Sequence, residues 1–168
     1  GARTQHDRRP PHTKFSEISM RAVVQRVRAA AVTVNGKVSD RIAVGLLVFV
    51  GIGRDDAQAD IDYVADKVRD LRLFDDDAGK MNRSLNDIGG AALVVSEFTV
   101  YGDCRRGRRP SFARAAPPAE AQVAYDALIL ALRKRGINVR TGVFRATMNV
   151  ELINDGPVTV LLDSAGGF

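Results

Sequence analysis

The alternation of apolar and polar positions along this chain predicts a series of strands interrupted by two helices. From Met20 to Val27 the pattern is that of a strand, with Ala22, Val24 and Arg26 on one face. Ala31 to Val38 contains Val-Thr-Val-Asn-Gly-Lys-Val, and Asn35-Gly36 is a strong two-residue hairpin signal because both residues tolerate positive φ. Ile42 to Ile52 is β-rich and almost continuously apolar, which predicts a strand covered on both faces. The period then changes. Ile61, Val64, Val68 and Leu71 form the apolar stripe of a helix, with Asp55 or Asp56 as its cap. Residues 75–90, with three consecutive aspartates, Asn82, Asn86 and Gly89-Gly90, read as loop. Ala91 to Tyr101 is a strand, and residues 102–116 are a second loop rich in arginine. Pro118 opens another helix, with Val123, Ala127, Leu130 and Ala131 as its buried face and Gly136 as its stop. Val139 to Ile153 and Val158 to Leu162 are strands joined by Asn154-Asp155-Gly156-Pro157. Six or seven strands and two helices make a mixed α/β single domain, β-sheet layers packed with helices.

Residues 1–19 carry no such pattern. They hold Pro10-Pro11, Arg8-Arg9 and both histidines, His6 and His12, and are expected to be a disordered or appended tail. The patterned sequence begins at Met20, a natural start, so the domain is placed at 20–164 with a short tail at 165–168. Setting aside the four basic and two acidic residues of positions 1–19 from totals of 25 and 20, the remainder carries 21 against 18. The folded part is thus only mildly basic. At 45% hydrophobic and 27% charged the chain has the composition of an ordinary globular domain. No apolar stretch approaches the ~20 residues of a membrane helix, and no secretory signal is visible. Cys104 is alone, which excludes an internal disulfide and fits a reducing compartment, the cytoplasm.

The residue inventory excludes several mechanisms. Residues 20–168 contain no histidine, which rules out a Ser-His-Asp triad, a Cys-His pair and the usual zinc sites. Asp75, Asp76 and Asp77 suggest an all-carboxylate magnesium site only weakly, and a solvated acidic loop is the better reading; no metal is expected. Gly51-Ile52-Gly53 lies between strand and helix, but the third glycine of a dinucleotide fingerprint is replaced by Asp56. A tight turn, and no nucleotide cofactor, is expected there. Arg105, Arg106, Arg108, Arg109 and Arg114 fall within ten residues and suit phosphate oxygens; Pro110 stiffens that loop and Phe112 can anchor it or stack on a base. Arg133-Lys134-Arg135 extends the patch or simply complements a helix dipole. On this evidence alone, a non-catalytic RNA-binding module using the arginine loop is one reading.

The motifs taken together give another. Ser96-Glu97-Phe98-Thr99 with Tyr101-Gly102, then Arg109-Pro110-Ser111-Phe112, then Asn154-Asp155-Gly156-Pro157-Val158-Thr159, resembles the D-aminoacyl-tRNA deacylase family, as does the opening Met20-Arg21-Ala22-Val23-Val24-Gln25-Arg26-Val27. The resemblance runs from Met20 to about Ser164 with the motifs in matching order. It implies a three-layer α/β/β domain and a homodimer acting on the aminoacylated 3′ end of tRNA without metal or cofactor. The implied reaction is hydrolysis of the ester of D-aminoacyl-tRNA, and of glycyl-tRNA mischarged on tRNA-Ala. By the same resemblance Ser96, Phe98 and Thr99 line the catalytic pocket, with backbone N–H groups near Phe98 and Thr99 as oxyanion donors. Gly156 and cis-Pro157 of the partner sense the α-carbon and reject L-residues; Arg26 holds that pair, and Met148 forms a pocket wall. Arg105, Arg106, Arg108 and Arg109 are the expected tRNA contacts. Two departures stand out: the family usually has glutamine at Glu97 and glycine at Arg145, and these two charges are expected to pair.

Overall fold

The computed structural model describes residues 19–167. Its strand β1 (Arg21–Val34) is the spine of the molecule. It turns at Asn35 (φ 51) and Gly36 (φ 76), the left-handed pair that a type I′ turn needs, into β2 (Lys37–Ile42). β3 (Gly45–Gly51), α1 (Gln58–Asp70), the small hairpin β4 (Phe74–Asp75) and β5 (Met81–Arg83), and a single helical turn α2 (Leu85–Ile88) follow. Next come β6 (Ala91–Ser96), a 3₁₀ turn (Phe98–Tyr101), α3 (Pro118–Lys134), β7 (Asn138–Thr141) and the long β8 (Asn149–Asp163). One edge of β1 pairs antiparallel with β3 and then β2; the other edge pairs with β8. β3, β6 and β7 run parallel, so the order is β2-β1-β3-β6-β7 with β8 on the far side of β1.

The predicted mixed α/β domain is present, and its layers explain the apolar run of β3. Helices α1 and α3 cover one face, where Leu46, Val48 and Val50 meet Ile61, Val64, Val68, Leu128 and Leu132. On the other face the β1–β2 hairpin curls over, and Val27, Ala30, Val32 and Ile42 bury Leu47, Leu93 and Val95 in a second, smaller core. The curl is latched where the Thr141 N–H donates to Asp40 Oδ2 (3.2 Å), which nearly closes the sheet. Burying the central strands from both sides removes them from water without alternation.

Several expectations need correction. The segments 20–27 and 31–38 are not separate strands: β1 passes straight through Arg28–Ala30, because β8 supplies partners on both sides of that stretch. The loop at 75–90 contains structure, including α2, which Ser84 caps by accepting from the Asp87 N–H (3.0 Å), so the described residues form three α-helices and not two. Neither Asp55 nor Asp56 caps α1; the cap is Ala57, and Asp60 reaches back to its N–H (2.8 Å). The buried face of α3 agrees with the expectation only in part. Ala131 is buried and Ala127 packs half-buried against the core, but Val123 and Leu130 are exposed; Ala124, Tyr125, Leu128, Ile129 and Leu132 also point inward, with the Tyr125 hydroxyl donating to Val94 O (2.7 Å). The strand Ala91–Tyr101 ends at Ser96, and β7 and β8 are separated by residues 142–148. The tail expected at 1–19 falls, apart from Ser19, outside the described residues. No helix among the described residues is long and apolar enough to cross a membrane.

Candidate active site

The end of β6 lines a cleft of about 900 Å³. The Glu97 N–H still bonds Val50 O (2.9 Å) on β3, and the chain then tightens into the 3₁₀ turn, with Val100 N–H to Glu97 O (3.2 Å) and Gly102 N–H to Thr99 O (2.9 Å). Strand alternation therefore does not continue through Phe98 and Thr99. The N–H groups of those two residues precede the first internal bond of the turn, where a helix leaves its donors without internal partners. Ser96, Glu97, Phe98 and Thr99 all line the cleft, joined by Phe49, Val95, Phe112, Phe144, Arg145, Thr147 and Met148. Met148 reaches the wall over Gly142, where a β-carbon would sit 2.8 Å from its sulfur. Phe98 is 59% exposed and meets Phe112 edge-to-face at 5.1 Å.

The two unusual charges do not pair. Glu97 Oε1 accepts from the Thr99 hydroxyl (2.7 Å), which fixes the direction of that hydroxyl proton, and Arg145 lies elsewhere on the same wall. The expected Glu97–Arg145 ion pair is thus absent among the described residues, because Thr99 is the nearer partner within one tight turn. Sequence reading missed Phe49, Phe144 and Thr147 as lining. Phe49 had a usable signal, since alternation along β3 puts it on the face opposite Val48 and Val50.

The arginine loop begins beside this cleft. Asp103 and Ser111 close its neck through two backbone bonds of 2.8 and 2.9 Å, and Phe112 follows at once into the pocket wall. Arg106, Arg108 and Arg109 are exposed. Arg105 differs: it forks onto Asp103 (2.6 and 2.9 Å), and that contact holds the Asp103 carboxyl well below the usual carboxylate range. Arg133 and Arg135 do not extend the patch. Arg135 bridges Asp62 and Asp66 of α1 (3.2 and 2.8 Å), and Arg133 donates to Val139 O (3.3 Å).

Gly156 and Pro157 lie outside this cleft. Along β1 the register passes from Gln25–Thr159 to Val27–Asn154, so the ladder skips Asp155 to Val158, which bulge out of β8. Asn154 spans the gap, its Oδ1 accepting from the Val158 N–H (2.8 Å) and its Nδ2 donating to Thr159 Oγ1 (3.1 Å). Opposite the bulge stands Arg26, 7% exposed, donating from Nε to Asp155 O (3.0 Å) and from Nη1 to Leu73 O (2.8 Å). The Gly156–Pro157 bond is cis, and Gly156 has φ 129, where a β-carbon would also meet Arg26 Nη2 and Val158 N at 3.0–3.1 Å. Only glycine fits. Both residues are exposed, on an outer strand that also exposes Ile153, Leu161 and Leu152.

The remaining candidates are occupied structurally. Asp76 accepts from the Ala78 and Lys80 N–H groups and from Asn82, Asp77 pairs with Arg83, and no metal-ligating cluster occurs among the described residues. At the Gly51–Gly53 turn the Gly53 N–H is taken by Asp56 Oδ2 (2.8 Å), and burial pushes the Asp56 carboxyl up to about 7.

Comparison with known proteins gives concordant results. The family model described as D-Tyr-tRNA(Tyr) deacylase matches residues 23–163. A protein of Desulfitobacterium hafniense named D-aminoacyl-tRNA deacylase is 56% identical over 149 residues, covering 89% of this chain and all of the relative. One of Thermotoga petrophila with the same name is 58% identical over 146 residues, covering 87% and 98%. Among solved structures, the c-Myc DNA unwinding element binding protein superposes with a TM-score of 0.80 at 38% identity, over 84% of this chain and 97% of that one. A probable eukaryotic D-amino acid tRNA deacylase gives 0.73 at 18% identity, over 86% and 98%, a likeness of fold.

Proposed function

The chain belongs to the D-Tyr-tRNA(Tyr) deacylase family, hydrolases of the aminoacyl-tRNA ester bond, and from that premise we propose how this member selects and cleaves its substrate. The observation that carries the proposal is the separation of two parts. The Ser96–Thr99 pocket is open, while the Gly156–Pro157 corner sits outside it, held by a buried arginine on an exposed apolar strand. A second copy, docked through Ile153, Leu161 and their neighbours, brings its corner to this pocket. Unpaired outer strands with apolar side chains call for such a cover. The partner's Gly156 and Pro157 carbonyls then stand against the α-carbon, so a D-residue or glycine fits and an L-side chain collides. Discrimination by main-chain atoms tolerates many side chains, and glycyl-tRNA mischarged on tRNA-Ala is a substrate for that reason.

The terminal aminoacyl-adenosine occupies the cleft between Met148 and the Phe98–Phe112 pair. The N–H groups of Phe98 and Thr99 receive the carbonyl oxygen as it gains negative charge, and losing one such donor typically costs about 10²–10³ in rate. Water adds to the ester carbon, the bond to the ribose oxygen breaks, and that oxygen leaves with a proton as free tRNA and D-amino acid separate. The ribose hydroxyl next to the ester can guide the proton, so positioning does the work that a histidine would do elsewhere. Thr99, with its proton on Glu97, acts structurally. The exposed arginines beside the pocket bind tRNA phosphates, and the cytoplasm is the place of action.

The test is hydrolysis of D-tyrosyl-tRNA and L-tyrosyl-tRNA, with and without a chelator, alongside sedimentation of the free protein. Loss of the D-ester alone, insensitive to chelator, from a dimer is the expected result. An active monomer, or equal cleavage of both esters, overturns the reading.

A further inference from the structure

Arg145 occupies a backbone position that costs stability. The Ala146 N–H closes a turn onto Val143 O (3.1 Å), and Arg145, third of the four residues, has φ 63. That is the third position of a type II turn, where glycine is the low-energy choice. Of the described non-glycine residues only Asn35 and Asp55 share a positive φ, and both belong to types that adopt it readily. An arginine there needs a reason. Packing supplies none, because the side chain is exposed; pairing supplies none, because it makes no hydrogen bond or ion pair with the described residues. The turn nevertheless sets it on the wall of the catalytic cleft, on the segment that also carries Phe144 and Met148.

We infer that Arg145 is a substrate-binding residue of this chain, a guanidinium that grips a backbone phosphate of the single-stranded 3′ end as the terminal nucleotide enters the cleft. This rests on the pocket being the site for the aminoacyl end, as proposed above. The chemistry agrees. A nucleic-acid end presents an anion at every nucleotide, and a planar, always-charged fork with no partner among the described residues matches phosphate oxygens. Glu97, the other unusual charge on the wall, is engaged by Thr99 and does not neutralise it. Such a contact is made equally in the bound and the reacting complex, so it lowers KM and leaves kcat alone.

The experiment compares wild type, Arg145→Gly and Arg145→Lys on D-tyrosyl-tRNA over a range of salt, together with binding of uncharged tRNA and thermal melting. For Arg145→Gly, log KM and log Kd should depend on log salt with a slope smaller by about 0.7, the counterions released by one single-strand phosphate contact. KM should rise several-fold at low salt with kcat unchanged, while the melting midpoint rises by about 2–4 °C as the turn relaxes. Arg145→Lys should keep most of the salt slope and gain no stability. An unchanged slope in Arg145→Gly, or a fall in kcat instead of a rise in KM, overturns the assignment. Because uncharged tRNA binding is read separately, a wild type that binds but does not hydrolyse would sink the proposed reaction and leave this contact still measurable.

Discussion

The clamp on the Gly156–Pro157 corner gives the most demanding test. Arg26 is buried and donates to two main-chain carbonyls, Leu73 O (2.8 Å) and Asp155 O (3.0 Å), which it ties to each other across β1. Its ion pairs with Asp75 (3.4 Å) and Asp155 (3.5 Å) involve carboxylates 52% and 34% exposed, and add little. Hydrogen bonds to a charged group contribute about 1.5–3 kcal/mol each, so Arg26→Met, which leaves both carbonyls unsatisfied, should cost about 3–5 kcal/mol. Against a typical domain stability of roughly 5–15 kcal/mol that variant sits near the limit of folding. Arg26→Lys is the sharper probe. A single ammonium on a flexible stem can serve one of the two carbonyls but not both, and the expected loss is about 1–2 kcal/mol. The protein stays folded, and the corner gains freedom. If the carbonyls of that corner judge handedness, a displacement of about an ångström should reduce the ratio of D- to L-tyrosyl-tRNA hydrolysis by about 10–100-fold. Urea unfolding reads the first number, and single-turnover rates on the two esters read the second. A destabilised Arg26→Lys with full discrimination would refute the link between clamp and filter; an unchanged urea midpoint would refute the energetics.

Three further outcomes are expected. Asp56 has a folded pKa near 7 against an ordinary 3.8, so folding takes up a proton in between, and its contribution to stability is lost as pH rises from about 4 to 7. Asp56→Asn keeps an acceptor for the Gly53 N–H and should gain roughly 1–2 kcal/mol over wild type at pH 8, after discounting for partial exposure, but nothing at pH 4; paired urea titrations check this. Ile153→Asp places a charge on the exposed apolar strand and should yield a folded monomer by sedimentation with at least 100-fold less D-ester hydrolysis; an active dimer would count against the docking surface. Replacing Arg106, Arg108 and Arg109 with alanine should flatten the salt dependence of tRNA binding by about 0.7–0.9 per lost contact, whereas Arg105→Ala should do less because Arg105 already serves Asp103.

Local pattern was enough for the hairpin at Asn35-Gly36, for the doubly covered strand β3 and for the stripe of α1, because each depends on neighbouring residues alone. Motif order carried the family. What eluded the sequence was decided by contacts between distant segments. β1 runs unbroken because β8 supports it, more than 115 residues later in the chain, and Tyr125, by reaching Val94 O, helps set a buried face of α3 that leaves Val123 and Leu130 outside. The candidate site shows the same division. Ser96, Phe98 and Thr99 stand in the motifs and Met148 came through the family resemblance, and all four line the cleft; yet only the folded chain set Glu97 on Thr99, left Arg145 strained and without a partner among the described residues, and put Arg26 opposite the stretch where the ladder skips residues. A sequence states which groups are available and which local geometries they prefer; which of them meet is settled by burial, since only the close-packed fold makes each distant polar partner necessary.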